Sequence, residues 1–307
     1  MYGLFYRFSL FVIIASCCAV AVARAEPITP LAGEWNRLSP GDEIGYYNPN
    51  ARAFVLCKER FAFDELSCVE FPVPDLATGI PLMGRWAANE SVDRPALFDP
   101  TTGTLHLYSY GGCLPLNCVG SGSLVAQRAH ALRITNAESA VVGDWDGSGA
   151  DSVALISPFD TTGQGSRAQA YLFVDGFGSF QSSALWGLDL SGLTPIAGDW
   201  PGTAHTGDSL GFYDRVHHDV LLLDGLGSGS LLNLPLVTQG LQIFDFVVDG
   251  TGVGGFGTYF PHNCSSFACH RVELWRFPSG GNNWPSRVIN EGYPEMDSRF
   301  PDDPGDP

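Results

Sequence analysis

The chain has 307 residues, of which 16 are basic and 33 acidic, so its formal net charge is −17. A surface this acidic repels nucleic acid and anionic lipid, which makes both unfavourable as partners. The 37 glycines and 21 prolines interrupt every segment that could otherwise form a long helix, so the composition also argues against a helical protein.

The amino-terminal segment has the three parts of an export signal. Arg7 supplies a positive charge, Phe8 to Val22 is apolar, and Ala23-Arg24-Ala25 has the small residues of a cleavage site. We therefore predict a signal peptide over residues 1–25, cleavage after its last alanine, and a secreted or periplasmic mature protein without a membrane span. Lipidation at Cys17 is a less favoured alternative, because the apolar run continues past that residue.

A motif of glycine, a variable residue and tryptophan recurs about every 50–60 residues. Its four copies are Gly33-Glu34-Trp35, Gly84-Arg85-Trp86, Gly143-Asp144-Trp145 and Gly198-Asp199-Trp200. Each copy follows an apolar run and precedes a polar loop and further apolar runs separated by turns. A fifth, more divergent copy begins near Phe244 and lacks the tryptophan. Short apolar runs between Gly, Pro, Asn and Asp turns predict β-strands.

Four short strands per repeat are typical of a propeller blade. A single blade cannot bury both faces of its sheet, and stacking blades around an axis does so. We therefore predict an all-β fold, a single β-propeller of five four-stranded blades, within residues 26–294. An acidic, proline-rich and disordered tail is predicted for residues 295–307. The approximate bounds of the five repeats are 29–75, 79–130, 139–187, 193–236 and 243–290.

The cysteines predict disulfide bonds. Two of the eight belong to the predicted signal peptide, and the other six form pairs that are close in sequence. Local pairing in an exported chain favours three disulfides. The predicted pairs are Cys57–Cys68, Cys113–Cys118 and Cys264–Cys269. For the last pair, a zinc site with His262 and His270 is an alternative, which an oxidising compartment disfavours.

The third repeat resembles a known family. Residues Val142 to Ser152 read V-G-D-W-D-G-S-G-A-D-S. This segment is similar to the FG-GAP/VCBS-type repeats of secreted bacterial proteins, which resemble the blades of integrin α-subunit propellers. The resemblance extends, less clearly, from Leu31 to Asn290. It implies a loop between the first two strands of a blade that often holds calcium, in proteins that are often adhesive or ligand-binding.

The same loop has the residue types of a calcium site. Calcium binds six to eight oxygen atoms, and Gly147 and Gly149 allow the chain to turn sharply around a cation. The predicted ligands are Asp144, Asp146, Ser148, the Ala150 carbonyl, and Asp151 or Ser152. The alternative is an Asx turn that bonds only its own backbone. Asp199 and Asp208 form a possible second, weaker metal loop.

Motifs of common enzymes are missing from the sequence, which has no HExxH, Gly-x-Ser-x-Gly or phosphate loop. We therefore predict a non-enzymatic binding or scaffold propeller whose ligand is an extracellular protein or a glycan. One alternative is a polysaccharide-acting hydrolase or lyase, which as a glycosidase would need two carboxylates about 5–9 Å apart. Another is a lectin whose repeated tryptophans stack on sugars between blades. The tryptophans are otherwise expected to pack blade against blade.

Overall fold

The computed structural model of the chain describes residues 28–157, with gaps at 37–42, 58–67, 76–77 and 120, and after that mainly the strands between 168 and 288. These residues contain twenty strands and one short 3-10 helix, Pro115–Asn117. In chain order the strands are β1 Thr29–Gly33, β2 Glu43–Asn48, β3 Ala53–Cys57, β4 Cys68–Pro72, β5 Ile80–Gly84, β6 Arg94–Asp99, β7 Thr104–Gly111, β8 Ser123–Ala131, β9 Ser139–Gly143, β10 Ser152–Ser157, β11 Ala168–Val174, β12 Ser179–Leu185, β13 Leu193–Gly198, β14 Ser209–Asp214, β15 Asp219–Leu223, β16 Leu231–Pro235, β17 Gln242–Val247, β18 Gly254–Phe260, β19 Arg271–Arg276 and β20 Ser286–Val288.

Within the described residues, the strands form five antiparallel sheets, each made of four consecutive strands in chain order. We number these sheets first to fifth along the chain. In the first four sheets, the glycine of the repeated motif is the last residue of the first strand. It pairs with the first residue of the second strand, as Gly33↔Glu43, Gly84↔Arg94, Gly143↔Ser152 and Gly198↔Ser209. The predicted all-β class is confirmed.

Neighbouring sheets pack face to face through apolar clusters. Leu97 of β6 packs into a cluster with residues of the first sheet, whereas Ala96 and Phe98 pack into a cluster with residues of the third sheet. Successive strand residues point to opposite faces, so a sheet covered on both sides needs apolar residues at consecutive positions. A third cluster joins the third and fourth sheets through Ile156 and Phe212. The first strands β1, β5, β9 and β13 contact one another in that order. The protein is therefore an all-β protein whose sheets are arranged as a β-propeller.

Two of the predicted disulfides are confirmed. Cys57 and Cys68 are paired residues of β3 and β4, with Cα atoms 3.8 Å apart. The Cα atoms of Cys113 and Cys118 are 5.5 Å apart, and this bond closes the loop that contains the 3-10 helix. Both disulfides are consistent with an extracellular location. The pair Cys264 and Cys269, the signal peptide and the carboxyl-terminal tail lie outside the described residues.

The helical content of the described residues is a single turn. No helix in this part of the chain has the length and hydropathy of a membrane span.

Candidate functional site: carboxylates between neighbouring sheets

The tryptophans of the repeat are core residues. The side chains of Trp35 and Trp145 are almost completely buried, and Trp86 is nearly so. The indole Nε1 of Trp35 donates to the Cys57 carbonyl at 2.8 Å, and that of Trp86 donates to the Arg94 carbonyl at 2.9 Å. These three rings belong to the clusters between sheets, which confirms that they pack sheet against sheet. Trp200 lies outside the described residues.

The residue before each of these tryptophans binds an aspartate of the next sheet. The backbone N–H of that residue donates a hydrogen bond to the aspartate Oδ2. The donor and acceptor residues are Glu34 and Asp93 (2.7 Å), Arg85 and Asp151 (2.6 Å), and Asp144 and Asp208 (2.7 Å). In return, each aspartate donates its own backbone N–H to the carbonyl oxygen of the same residue, at 2.7–2.8 Å. We term each reciprocal pair of bonds a clasp. Three clasps therefore link the first four sheets.

The clasps explain two features of the repeat. Each aspartate is the residue immediately before the second strand of its sheet, so the strand pairing fixes its position. The motif glycine is required because the next sheet approaches closely. A Cβ atom on Gly84 would lie 2.7 Å from Val142 Cγ1 and 3.2 Å from Asp151 Oδ2. A Cβ atom on Gly33 would lie 2.9 Å from Asp93 Oδ2.

The electrostatic environment differs between clasps. In the clasp of Asp93, the Arg85 guanidinium supplies a counter-charge, since its Nη2 lies 3.1 Å from Glu34 Oε2 and its Nε lies 3.8 Å from Asp93 Oδ1. Removal from water raises the pKa of Asp151 to about 8, and the charges of Asp93 and Asp208 act in the same direction. The hydrogen bond from Arg85 opposes this shift. The Asp151 clasp therefore contains a carboxyl group that is mostly protonated at neutral pH.

The predicted calcium loop has two parts, and its outer part is an Asx-type turn. The Ser148 N–H donates to Asp144 Oδ1 at 2.9 Å and to Asp146 Oδ1 at 3.1 Å, and the Gly149 N–H donates to Asp144 Oδ2 at 2.8 Å. The hydroxyl of Ser148 lies 3.5 Å from the Ala150 carbonyl oxygen. Hydrogen bonds from Ser148 lower the pKa of Asp146. Two carboxylates and one hydroxyl are thus brought together at an exposed position.

The remaining predicted ligands of that loop face other partners. Asp151 belongs to the clasp with Arg85, and the Ser152 hydroxyl donates to the Phe173 carbonyl. In the possible second metal loop, Asp208 accepts the clasp bond from Asp144, and Asp199 lies outside the described residues. In the part of the chain that the structure describes, no three His, Cys, Asp or Glu side chains are grouped as a metal site. Among the predicted ligands, Asp144, Asp146 and Ser148 are therefore linked by hydrogen bonds within the turn, whereas Asp151 and Ser152 bond to other parts of the protein.

Comparison with protein families, with curated proteins and with solved structures gives no match for this chain. The similarity to FG-GAP/VCBS-type repeats therefore stays a prediction from the residues of the third repeat.

Proposed function

We propose that the protein is an exported, non-enzymatic binding or scaffold propeller. The observation that carries this proposal is that the repeated aspartates bond to the protein backbone. Asp93, Asp151 and Asp208 each bind the backbone of a neighbouring sheet through a side-chain carboxyl oxygen. A carboxyl group held in this way stabilises the framework. The loops on a rigid β framework are then the variable part that recognises a ligand.

We further propose that the five sheets are five FG-GAP/VCBS-type blades of one closed ring. Contacts between the first strands of the five sheets support this count. Each of these strands contacts the next in the order β1, β5, β9, β13 and β17, and β17 in turn contacts β1. Closure would cover both faces of every sheet.

The proposed activity is tested with the mature protein on two panels. Immobilised extracellular proteins and glycans report binding, and soluble polysaccharides report cleavage through newly formed reducing ends. We expect saturable binding to at least one ligand and no release of reducing ends. Cleavage of a polysaccharide would overturn the proposal in favour of the hydrolase or lyase alternative.

Calcium binding at the outer half of the Asp144–Ser152 loop is a second part of the proposal. Its support is that Asp144 and Asp146 both accept a hydrogen bond from the Ser148 N–H, so two neighbouring negative charges, that of Asp146 exposed, repel each other without a cation. A ligand that binds only the folded state raises its stability by about 2.7 kcal/mol at a concentration 100 times its Kd.

We expect the melting temperature to be higher in millimolar calcium than in chelator, and Asp146→Ala to abolish most of this difference. Asp99→Ala is the matched control, because Asp99 forms a comparable turn with Thr101 and Thr102. It should leave the calcium effect intact. Identical melting curves of the wild-type protein in calcium and in chelator would show that the loop is an Asx turn alone.

A further inference from the structure

A polar pocket opens in the second sheet, between the loop that follows Trp86 and the end of β7. Its volume is about 330 Å³, within the range of roughly 300–1,000 Å³ that is common for small-molecule sites. The polar groups that line it come from Asn89, Glu90, Ser91, Arg94 and Ser109.

One carboxylate oxygen in this pocket lacks a hydrogen-bond donor. Glu90 Oε1 lies 3.0 Å from Arg94 Nη1. Glu90 Oε2 is buried and accepts no hydrogen bond from the described residues. A buried acceptor without a donor costs free energy, typically about 1–3 kcal/mol, and more when it is charged. A ligand hydroxyl that donates to Oε2 would recover this energy.

The other groups of the pocket offer both donors and acceptors without net charge. The ion pair with Arg94 compensates the charge of Glu90. Ser109 Oγ accepts a hydrogen bond from Gln127 Nε2 at 2.6 Å, so its own O–H can donate to a ligand. The Asn89 amide and the Ser91 hydroxyl extend this mixed lining. A charged ligand would gain little net Coulomb attraction from this compensated ion pair, so a neutral ligand with hydrogen-bonding groups fits the lining best.

The walls of the pocket are fixed before any ligand binds. The Tyr110 hydroxyl donates to the Asp93 carbonyl at 3.0 Å, and its ring packs edge-on against Phe71. The disulfide between Cys113 and Cys118 closes the loop that contributes Leu114, an apolar wall residue. Such preorganisation reduces the entropy lost on binding.

We infer that this pocket binds a neutral sugar residue. The hydroxyl groups of a sugar both donate and accept hydrogen bonds. They can therefore donate to the Glu90 carboxylate, accept from the Arg94 guanidinium, and do either with the serine hydroxyls of the pocket. The apolar side chains of Val92 and Leu114 can contact the C–H groups of the ring. This inference rests on the proposed binding function and deepens it, since it selects a glycan rather than a protein as the ligand.

The test uses the folded mature protein with glucose, galactose and mannose in saturation-transfer NMR, together with an array of neutral oligosaccharides. We expect binding by the wild-type protein and a loss of affinity of at least about tenfold in Glu90→Gln and in Ser109→Ala. Glu70→Gln, on an exposed residue of β4, should bind as the wild type does. Ser109→Ala keeps the test decisive if Glu90→Gln does not fold.

The outcomes separate this inference from the proposed function. Equal sugar binding by all variants would overturn the pocket assignment and leave the binding function in place. Binding to a protein of the panel without any sugar binding would do the same. Binding to neither sugars nor proteins would overturn both.

Discussion

The two ends of one loop in the third repeat use the same residue type in different ways. Asp146 is exposed and bonds the backbone of its own loop at Ser148. Asp151, five residues later, bonds the backbone of the preceding sheet at Arg85. The chemistry of the side chain is the same, so the surroundings decide its role. An aspartate in the turn is available to a cation, whereas an aspartate directly before the second strand stabilises the contact between sheets.

The largest expected difference between the two aspartates is the loss of stability when each is replaced by alanine. Asp151→Ala leaves the Arg85 N–H without its acceptor in a partly buried contact between sheets, so we predict a decrease of about 2–3 kcal/mol in the free energy of unfolding. Asp146→Ala removes an exposed turn bond and should cost less than about 1 kcal/mol. Urea unfolding in the presence of chelator measures both. Equal losses in the two variants would contradict the distinction.

A smaller effect is expected from the glycine that allows the sheets to approach. In Gly84→Ala the new Cβ atom would lie 2.7 Å from Val142 Cγ1, so this side chain has to shift. We predict a loss of about 1–2 kcal/mol. Gly149→Asn is the comparison variant, since open space surrounds Gly149 and asparagine bears the strain of its positive φ of 80° better than most residues, so its loss should be smaller. Unfolding curves in which Gly84→Ala matches the wild type would show that the close approach is not required.

The pH dependence of stability sharpens the comparison further. Burial raises the pKa of Asp151 to about 8 in the folded protein, and on unfolding the pKa returns to its ordinary value of 3.8. Between these values the folded state retains a proton that the unfolded state has lost. The stabilisation from this site is therefore complete below about pH 4 and is lost as the pH rises through about 8.

We expect the free energy of unfolding to fall between pH 5 and pH 9 in the wild-type protein. Asp151→Asn, which keeps an acceptor oxygen and cannot ionise, should remove the Asp151 contribution to this fall, and Asp146→Asn should keep it. Parallel pH profiles for the wild type and Asp151→Asn would exclude Asp151 as the origin.

The strands were predictable from sequence because their signals are local. Apolar runs separated by Gly, Pro, Asn and Asp turns indicated short strands, and the glycines of the four motif copies do end the first strands β1, β5, β9 and β13. The close spacing of Cys57 and Cys68 likewise predicted their disulfide. The burial of three tryptophans followed from their size and from the repeat.

The clasps were not predicted, because they join residues that are about 60 positions apart in different repeats. The sequence interpretation assigned Asp151 to calcium through its neighbours in the loop and assigned no role to the recurrence of Asp directly before β6, β10 and β14. That recurrence is the signal that could have revealed them. In the sequence, the residue directly before β2 is also an aspartate, Asp42, whereas the residue directly before β18 is Val253. Both residues lie outside the described residues.

Hydrogen exchange at the Arg85 amide tests the clasp most directly. This N–H donates to Asp151 Oδ2 rather than to a strand partner, so its protection reports the bond between the sheets. We predict slow exchange of the Arg85 amide in the wild-type protein. In Asp151→Ala we predict selective acceleration of this amide, while the Glu34 and Asp144 amides stay protected by Asp93 and Asp208. Fast exchange at Arg85 in the wild type, or no change in Asp151→Ala, would contradict the assignment of Asp151 to the contact between sheets.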